Sequence, residues 1–220
     1  MSHFEQDLSD LKEKLLTMAS LAEAAVNKAL QALVERNDDL ARAVKEEDSA
    51  IDRLEIELDD MAISLLSKAP LASDLRLITV AMKISHDLER VGDEATTIAR
   101  RSLELSQEPQ LKPYIDIPRM AKMALEMLGD ALDAFVHRNP EKARAVIPRD
   151  KEVDLTNKQL HRELSSYMVE KPTTITRCLN LMVISKSLER IADHATNVAE
   201  EVVYFYEAKD IRHTGKSQST

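Results

Sequence analysis

The sequence predicts an all-α protein built as two tandem three-helix bundles, six long helices arising from an internal duplication. Three observations carry this. The 220 residues include 3 glycines, no tryptophan and 3% aromatics against 44% hydrophobic residues, a composition that suits helices rather than sheets. Apolar residues recur at helical spacing over long windows. The chain also repeats itself. "RNDDLARAV" from Arg36 resembles "RNPEKARAV" from Arg138, 102 residues on. Ile84, Ser85, Leu88, Glu89, Arg90 and Asp93 recur at Ile184, Ser185, Leu188, Glu189, Arg190 and Asp193, 100 residues on. Self-similarity at that period marks a duplicated structural unit.

The first copy, residues 1–107, divides into helices over about 5–36, 39–68 and 73–106. In the second of these, Ile51, Leu54, Leu58, Met61 and Leu65 form one stripe. In the third, Leu77, Val80, Ile84, Leu88, Val91 and Ile98 do the same. Such stripes must be covered, and three helices covering one another are the simplest solution. Asn37-Asp38 breaks the chain between the first two helices, Pro70 marks the next turn, and Ser73 or Asp74 is placed to cap the third helix. "QEPQLKPYIDIP" holds three prolines and supplies a linker over 108–118. The second copy, 119–209, repeats the plan with helices over about 119–138, 141–169 and 173–209, turning at Asn139-Pro140 and Pro172. Residues 210–220 read as a polar tail.

Composition excludes several classes of function. The net charge is −9, and no basic stripe alternates with stacking aromatics, so nucleic acid is not an expected partner. Cys178 is the single cysteine, which rules out an internal disulfide and suits a reducing cytosol. Its apolar neighbours suggest a core thiol. The chain begins without a signal-peptide pattern, and no uncharged apolar run approaches the ~20 residues that span a bilayer. The expectation is therefore cytoplasmic, with no direct membrane insertion. No glycine-rich phosphate loop and no Ser/His/Asp or Cys/His constellation can be assigned.

What stands out is a repeated electrostatic fault. Glu89 and Asp93, and again Glu189 and Asp193, place two carboxylates on one helix face, where like charges repel. Asp48/Asp52 and Asp150/Asp154 do the same on the preceding helices. The midpoints of the paired motifs lie equally far from Pro70 in the first copy and from Pro172 in the second. If the prolines mark the turns, each antiparallel hairpin brings four carboxylates to one level, about 30 Å from the turn at 1.5 Å per residue. A helical wheel with Ile84 at zero sets Glu89 and Asp93 at about 140° and 180°, away from the apolar stripe. The clusters should lie on the outside of each bundle. Oxygen-only ligands suit Mg²⁺, Ca²⁺, Mn²⁺ or iron, whereas zinc usually recruits His or Cys as well. Asp48, Asp52, Glu89, Asp93, Asp150, Asp154, Glu189 and Asp193 are the candidate metal ligands. All eight keep their acid type between copies, while neighbours such as His86/Lys186, Asp87/Ser187, Glu94/His194 and Glu55/Asn157 do not. His194 reads as a surface residue or an added nitrogen ligand. Asn197 and Thr97 read as a supporting shell, and Arg90 and Arg190 as partners of nearby acids.

These motifs resemble the PhoU family nearly end to end. The E(D)xxxD pairs match the family's repeated motif. "PLASDLRLI" from Pro70 is similar to its P-x-A-x-D-L-R, "LERIADHATNVAE" to its L-E-R-I-G-D-H-A-x-N-I-A-E, and "AKDIRHTG" from Ala208 to a typical ending. The resemblance implies a cytoplasmic, non-enzymatic protein that represses the phosphate-starvation response. It implies that the chain links the phosphate ABC transporter, through its ATPase subunit, to a sensor histidine kinase. Homodimers are plausible for the family. It further implies divalent or trivalent metal ions at the E(D)xxxD motifs, multinuclear iron among them, with Mn, Mg or Zn as alternatives. Ala192 departs from a family glycine that is kept at Gly92, and "DEATT" lacks the residues seen at His194 and Asn197, so the first site is expected to differ from the second. The residues alone leave open a metal-dependent hydrolase or oxidase, and a metal-free structural bundle.

Overall fold

The computed structural model describes residues 3–68, 71–209 and 211. Its helices are α1 (His3–Glu35), α2 (Asp38–Leu66), α3 (Ala72–Ser106), α4 (Asp116–Val136), α5 (Pro140–Val146), α6 (Asp150–Glu170) and α7 (Ile175–Glu207). Among the described residues there is no strand. In the first repeat α1, α2 and α3 pack on one another; in the second, α4, α5 and α6 pack around α7. The two repeats join chiefly through α3 against α7. The expected turn at Pro70 and the tail over 210–220, apart from Ile211, lie outside the described residues.

Each repeat begins its first turn in the same way. Arg36 and Arg138 adopt left-handed backbone conformations, with φ of 55° and 54°. The N–H of Asn37 then reaches back to the Ala32 carbonyl at 2.9 Å, and that of Asn139 to Ala134 at 3.0 Å. This closes the end of a helix on its last free carbonyls. The same asparagines open the next helix. The Asn37 side chain accepts from the N–H groups of Asp39 and Leu40, and that of Asn139 accepts from Lys142. One dipeptide thus ends one helix and caps another. The third helix starts otherwise. The residue preceding α3 is Leu71, no side chain caps it, and Ser73 and Asp74 fall inside the first turn rather than at the cap expected for them.

The six-helix plan holds, and in the second copy one of the helices is kinked. The segment expected as one helix over 141–169 is divided into α5 and α6 by a 3₁₀ turn at Ile147–Arg149. Pro148 is the cause, because it has no N–H to give and its ring crowds the carbonyl one turn earlier. The backbone at Ile147 and Asp150 remains right-handed helical, so the break is a kink. α4 also starts three residues earlier than expected, with Pro118 inside its first turn, where a missing N–H costs nothing. The linker before it is tied down. Arg36 donates to the carbonyls of Ser106 at 2.8 Å and Glu108 at 2.5 Å, and Arg177 donates to that of Pro109 at 2.9 Å.

Leu77, Val80, Ile84, Leu88, Val91 and Ile98 of α3, and Ile184, Leu188, Ile191 and Val198 of α7, are all buried. Cys178 is buried among them. Polar clasps cross the α3–α7 seam. Lys83 meets both carboxylate oxygens of Glu201 at 3.0 Å, and Arg190 meets Glu94 at 3.1 Å. Asp87, only 9% exposed, accepts from His194 Nδ1 at 2.8 Å and Asn197 Nδ2 at 3.1 Å. Asp87→Ala would leave both donors without an acceptor. It should lower unfolding free energy by about 1–3 kcal/mol, measured by urea denaturation. Lys151→Ala, at an exposed position on α6, should change it little.

Candidate functional site

In the second repeat the four carboxylates act on one another electrostatically, but no three of them bring oxygens within 4.8 Å of one another among the described residues. Asp150 and Asp154 come from the first two turns of α6 because the Pro148 kink starts that helix at Asp150. Glu189 and Asp193 come from the middle of α7. All four are half-buried or exposed. Burial pushes the Asp150 carboxyl up to about 6, and Asp193, Asp154 and Glu189 add to the effect in that order. Asp193 is also raised, by crowding from the surrounding protein and then by Glu189, against the opposing charge of Lys186. Lys186 forms an ion pair with Glu189, so one protein cation already leans on the cluster. Asp150 Oδ1 is shielded from water and accepts no hydrogen bond among the described residues.

The first repeat couples its acids in the same way. Burial raises Asp48, followed by Asp52 and Asp93. Burial also raises Glu89, followed by Asp93 and then Glu55. Arg90 approaches Glu89 at 3.7 Å and Asp93 at 3.5 Å. Gly92 faces Asp48 directly. A Cβ there would lie 3.2 Å from Asp48 Oδ1 and 2.9 Å from Ile51 Cδ1, so the bare backbone is what lets α2 and α3 approach at this level. Glu89 has further neighbours. His86 Nδ1 lies 3.1 Å from Glu55 Oε1, and donor atoms of Glu55, His86 and Glu89 fall within 4.8 Å of one another. Sequence reasoning set Glu55 and His86 aside because their counterparts, Asn157 and Lys186, differ. The signal was present in the spacing, since each lies three residues from a candidate ligand and so shares its helix face.

A PhoU domain profile matches residues 15–102 and 117–202. The chain belongs to the PhoU family. It is 40% identical over 214 residues to the phosphate-specific transport system accessory protein PhoU homolog of Pseudomonas aeruginosa, covering 96% of this chain and 88% of that protein. It is 32% identical over 213 residues to the Escherichia coli K12 accessory protein PhoU, again covering 96% and 88%. The crystal structure of PhoU from Pseudomonas aeruginosa superposes with a TM-score of 0.91 at 39% identity, covering 94% of this chain and 100% of that one. The phosphate transport system regulatory protein PhoU from Streptococcus pneumoniae superposes at 0.89 with 30% identity, covering 95% and 99%.

As a PhoU repeat, the second cluster has a donor set that fits a hard cation. Burial, with the neighbouring carboxylates adding to it, raises Asp150 and Asp193, and Asp150 Oδ1 lacks a donor among the described residues. A cation would relieve both conditions. The Glu55–His86–Glu89 group adds an imidazole to the first repeat and with it a preference for borderline metals. Two sequence readings change. His194 is neither a free surface residue nor aimed at the cluster, because it is bound to Asp87 of the other repeat, and Asn197 donates to that aspartate too. Arg90 and Arg190 do partner acids, Arg90 within its own repeat and Arg190 across the seam. No described helix is long and apolar enough to cross a membrane.

Because the folded-state pKa of Asp150 is raised, the native protein holds that proton more tightly than the unfolded chain. The associated stability is present below about pH 4 and is lost as pH rises through about 6. In chelator-treated protein, Asp150→Asn should match wild type at pH 4. It should exceed wild type at pH 7.5 by on the order of 1–2 kcal/mol, a figure reduced for solvent screening. Urea denaturation at the two pH values reads this directly.

Proposed function

We propose that the chain is a cytoplasmic, metal-binding accessory protein of phosphate transport, linking the transporter's ATPase subunit to a sensor histidine kinase and restraining the phosphate-starvation response. The carrying observation is an end-to-end match to proteins named as accessory to the phosphate-specific transport system, joined to a crowded carboxylate cluster on each repeat. The proposed role is one of contact rather than catalysis. Bound metal would supply positive charge that neutralises the clusters. Asp150, Asp154, Glu189 and Asp193 would hold it on the second repeat, and Asp48, Asp52, Glu89 and Asp93 on the first. Neutralising eight acidic groups on an exposed surface changes which partner surface can approach, because like-charge contacts at an interface are strongly disfavoured. A homodimer is part of the same proposal.

Protein purified without chelator should retain or rebind iron, manganese, zinc or magnesium, measured by elemental analysis. The double change Asp150→Asn, Asp154→Asn should weaken binding at the second repeat at least ~10-fold, about 1.4 kcal/mol. Retention of none of these metals would remove the metal from the proposal. Co-purification with the transporter ATPase and with the kinase, each tested at high and low phosphate, checks the adaptor role. Association with neither would end it.

A further inference from the structure

Like charges are also held together elsewhere in this molecule, with the opposite sign. A cleft of about 470 Å³ opens where α1, the start of α3 and the ends of α4 and α7 meet, and Lys12, Arg76 and Arg138 line it. They come from α1, from α3 and from the turn after α4, and none of the three makes an ion pair or a side-chain hydrogen bond among the described residues. Elsewhere this protein pairs its cations freely, as Lys83, Lys142, Arg149 and Arg177 illustrate. With a net charge of −9 it has carboxylates to spare. Lys12 and Arg76 are also half-buried, and Arg76 Nε is fully shielded from water with no acceptor. Two carboxylates share the wall, Glu5 and Asp74. Asp74 acts on Lys12 from beyond ion-pair distance, and burial together with Arg138 outweighs it, so the Lys12 ammonium is easier to deprotonate than an ordinary lysine. The first turn of α3, through Ser73 and Asp74, forms part of the same wall. That helix end has no side-chain cap, so its first N–H groups lack a side-chain acceptor and its positive dipole end lies at the cleft wall.

We propose that this cleft binds a phosphate-type oxyanion, either inorganic phosphate or the phosphoryl group of a nucleotide. Such a ligand satisfies every unusual feature at once. Arg76 and Arg138 offer planar donors suited to tetrahedral oxygens, Lys12 adds a point charge, and the uncapped helix start adds backbone donors. The cleft contains none of the eight candidate metal ligands, so the site is independent of the metal proposal.

Isothermal titration of chelator-treated protein with orthophosphate at low ionic strength tests it, chelation preventing phosphate from binding through a metal. Wild type should bind one phosphate saturably, and Lys12→Gln and Arg76→Gln should each weaken that binding at least ~10-fold. A parallel titration with ATP assigns the source. Binding of ATP at least ~10-fold tighter than phosphate assigns the cleft to a nucleotide, and equal or weaker binding assigns it to free phosphate. Because the three cations make no ion pair among the described residues of the ligand-free protein, Lys12→Gln should unfold at the same temperature as wild type or higher when phosphate is absent. Absence of saturable binding of either ligand by wild type, unchanged affinity in both variants, or marked thermal destabilisation of ligand-free Lys12→Gln would each overturn the proposal.

Discussion

The packing of α3 against α7 is the constraint from which the rest of the molecule follows. Both helices exceed thirty residues, and both bury their apolar stripes over most of that length. Every other helix packs on one or both of them. Fixing these two helices fixes which faces remain outward. The faces left outward carry Glu89/Asp93 and Glu189/Asp193, and the neighbouring helices add the second pair of acids at the same level. The acidic clusters are therefore a consequence of core geometry. Their mutual repulsion follows from burial elsewhere, because shifting either helix to relieve it would uncover leucines and isoleucines.

The duplication supplies two copies of this geometry, and two local features make them unequal. In the first repeat Gly92 lets α2 close onto α3 beside Asp48, in the interior of a continuous helix. In the second, Ala192 takes the glycine's place and Pro148 interrupts the chain just before Asp150. Asp150 consequently sits at a helix start, shielded and facing three other carboxylates, and is the group pushed furthest from its ordinary value. His86 and Glu55 enrich the first site in a way that Lys186 and Asn157 cannot reproduce in the second. Family membership accounts for the shared plan, and these few positions account for the difference.

Much of this was legible in the sequence because it is carried by period and repetition. The helical stripes, the Arg-Asn turns, the proline at 172 and the eight repeated acids all declare themselves within a few residues of chain. The Pro148 kink was equally local and was missed because the flanking residues continue the helical pattern on both sides. Other features depend on contacts between distant segments and leave no periodic trace. His194 reaches Asp87 across more than a hundred residues, and comparing copies position by position made both look like variable surface. Lys12, Arg76 and Arg138 come together only through the packing of distant segments, so the motifs around Arg76 and Arg138 do not mark them as one cluster.

The positions that differ between copies have a consequence for assembly. Two first repeats placed face to face through their third helices would set Asp87 against Glu94, the counterpart of His194, and Lys83 against Arg101, the counterpart of Glu201. Both contacts would join like charges. Two second repeats would set Ser187 and Val183 where Asp87 and Lys83 now stand, leaving His194 and Glu201 without their partners. Of the three clasps, Arg190–Glu94 would survive between two first repeats as Arg90 against Glu94, and the other two are satisfied only by unlike halves. Divergence after duplication has thus made each half selective for its sibling and poor at recognising itself, which steers a freshly made chain toward closing on its own second half instead of exchanging halves with a neighbour.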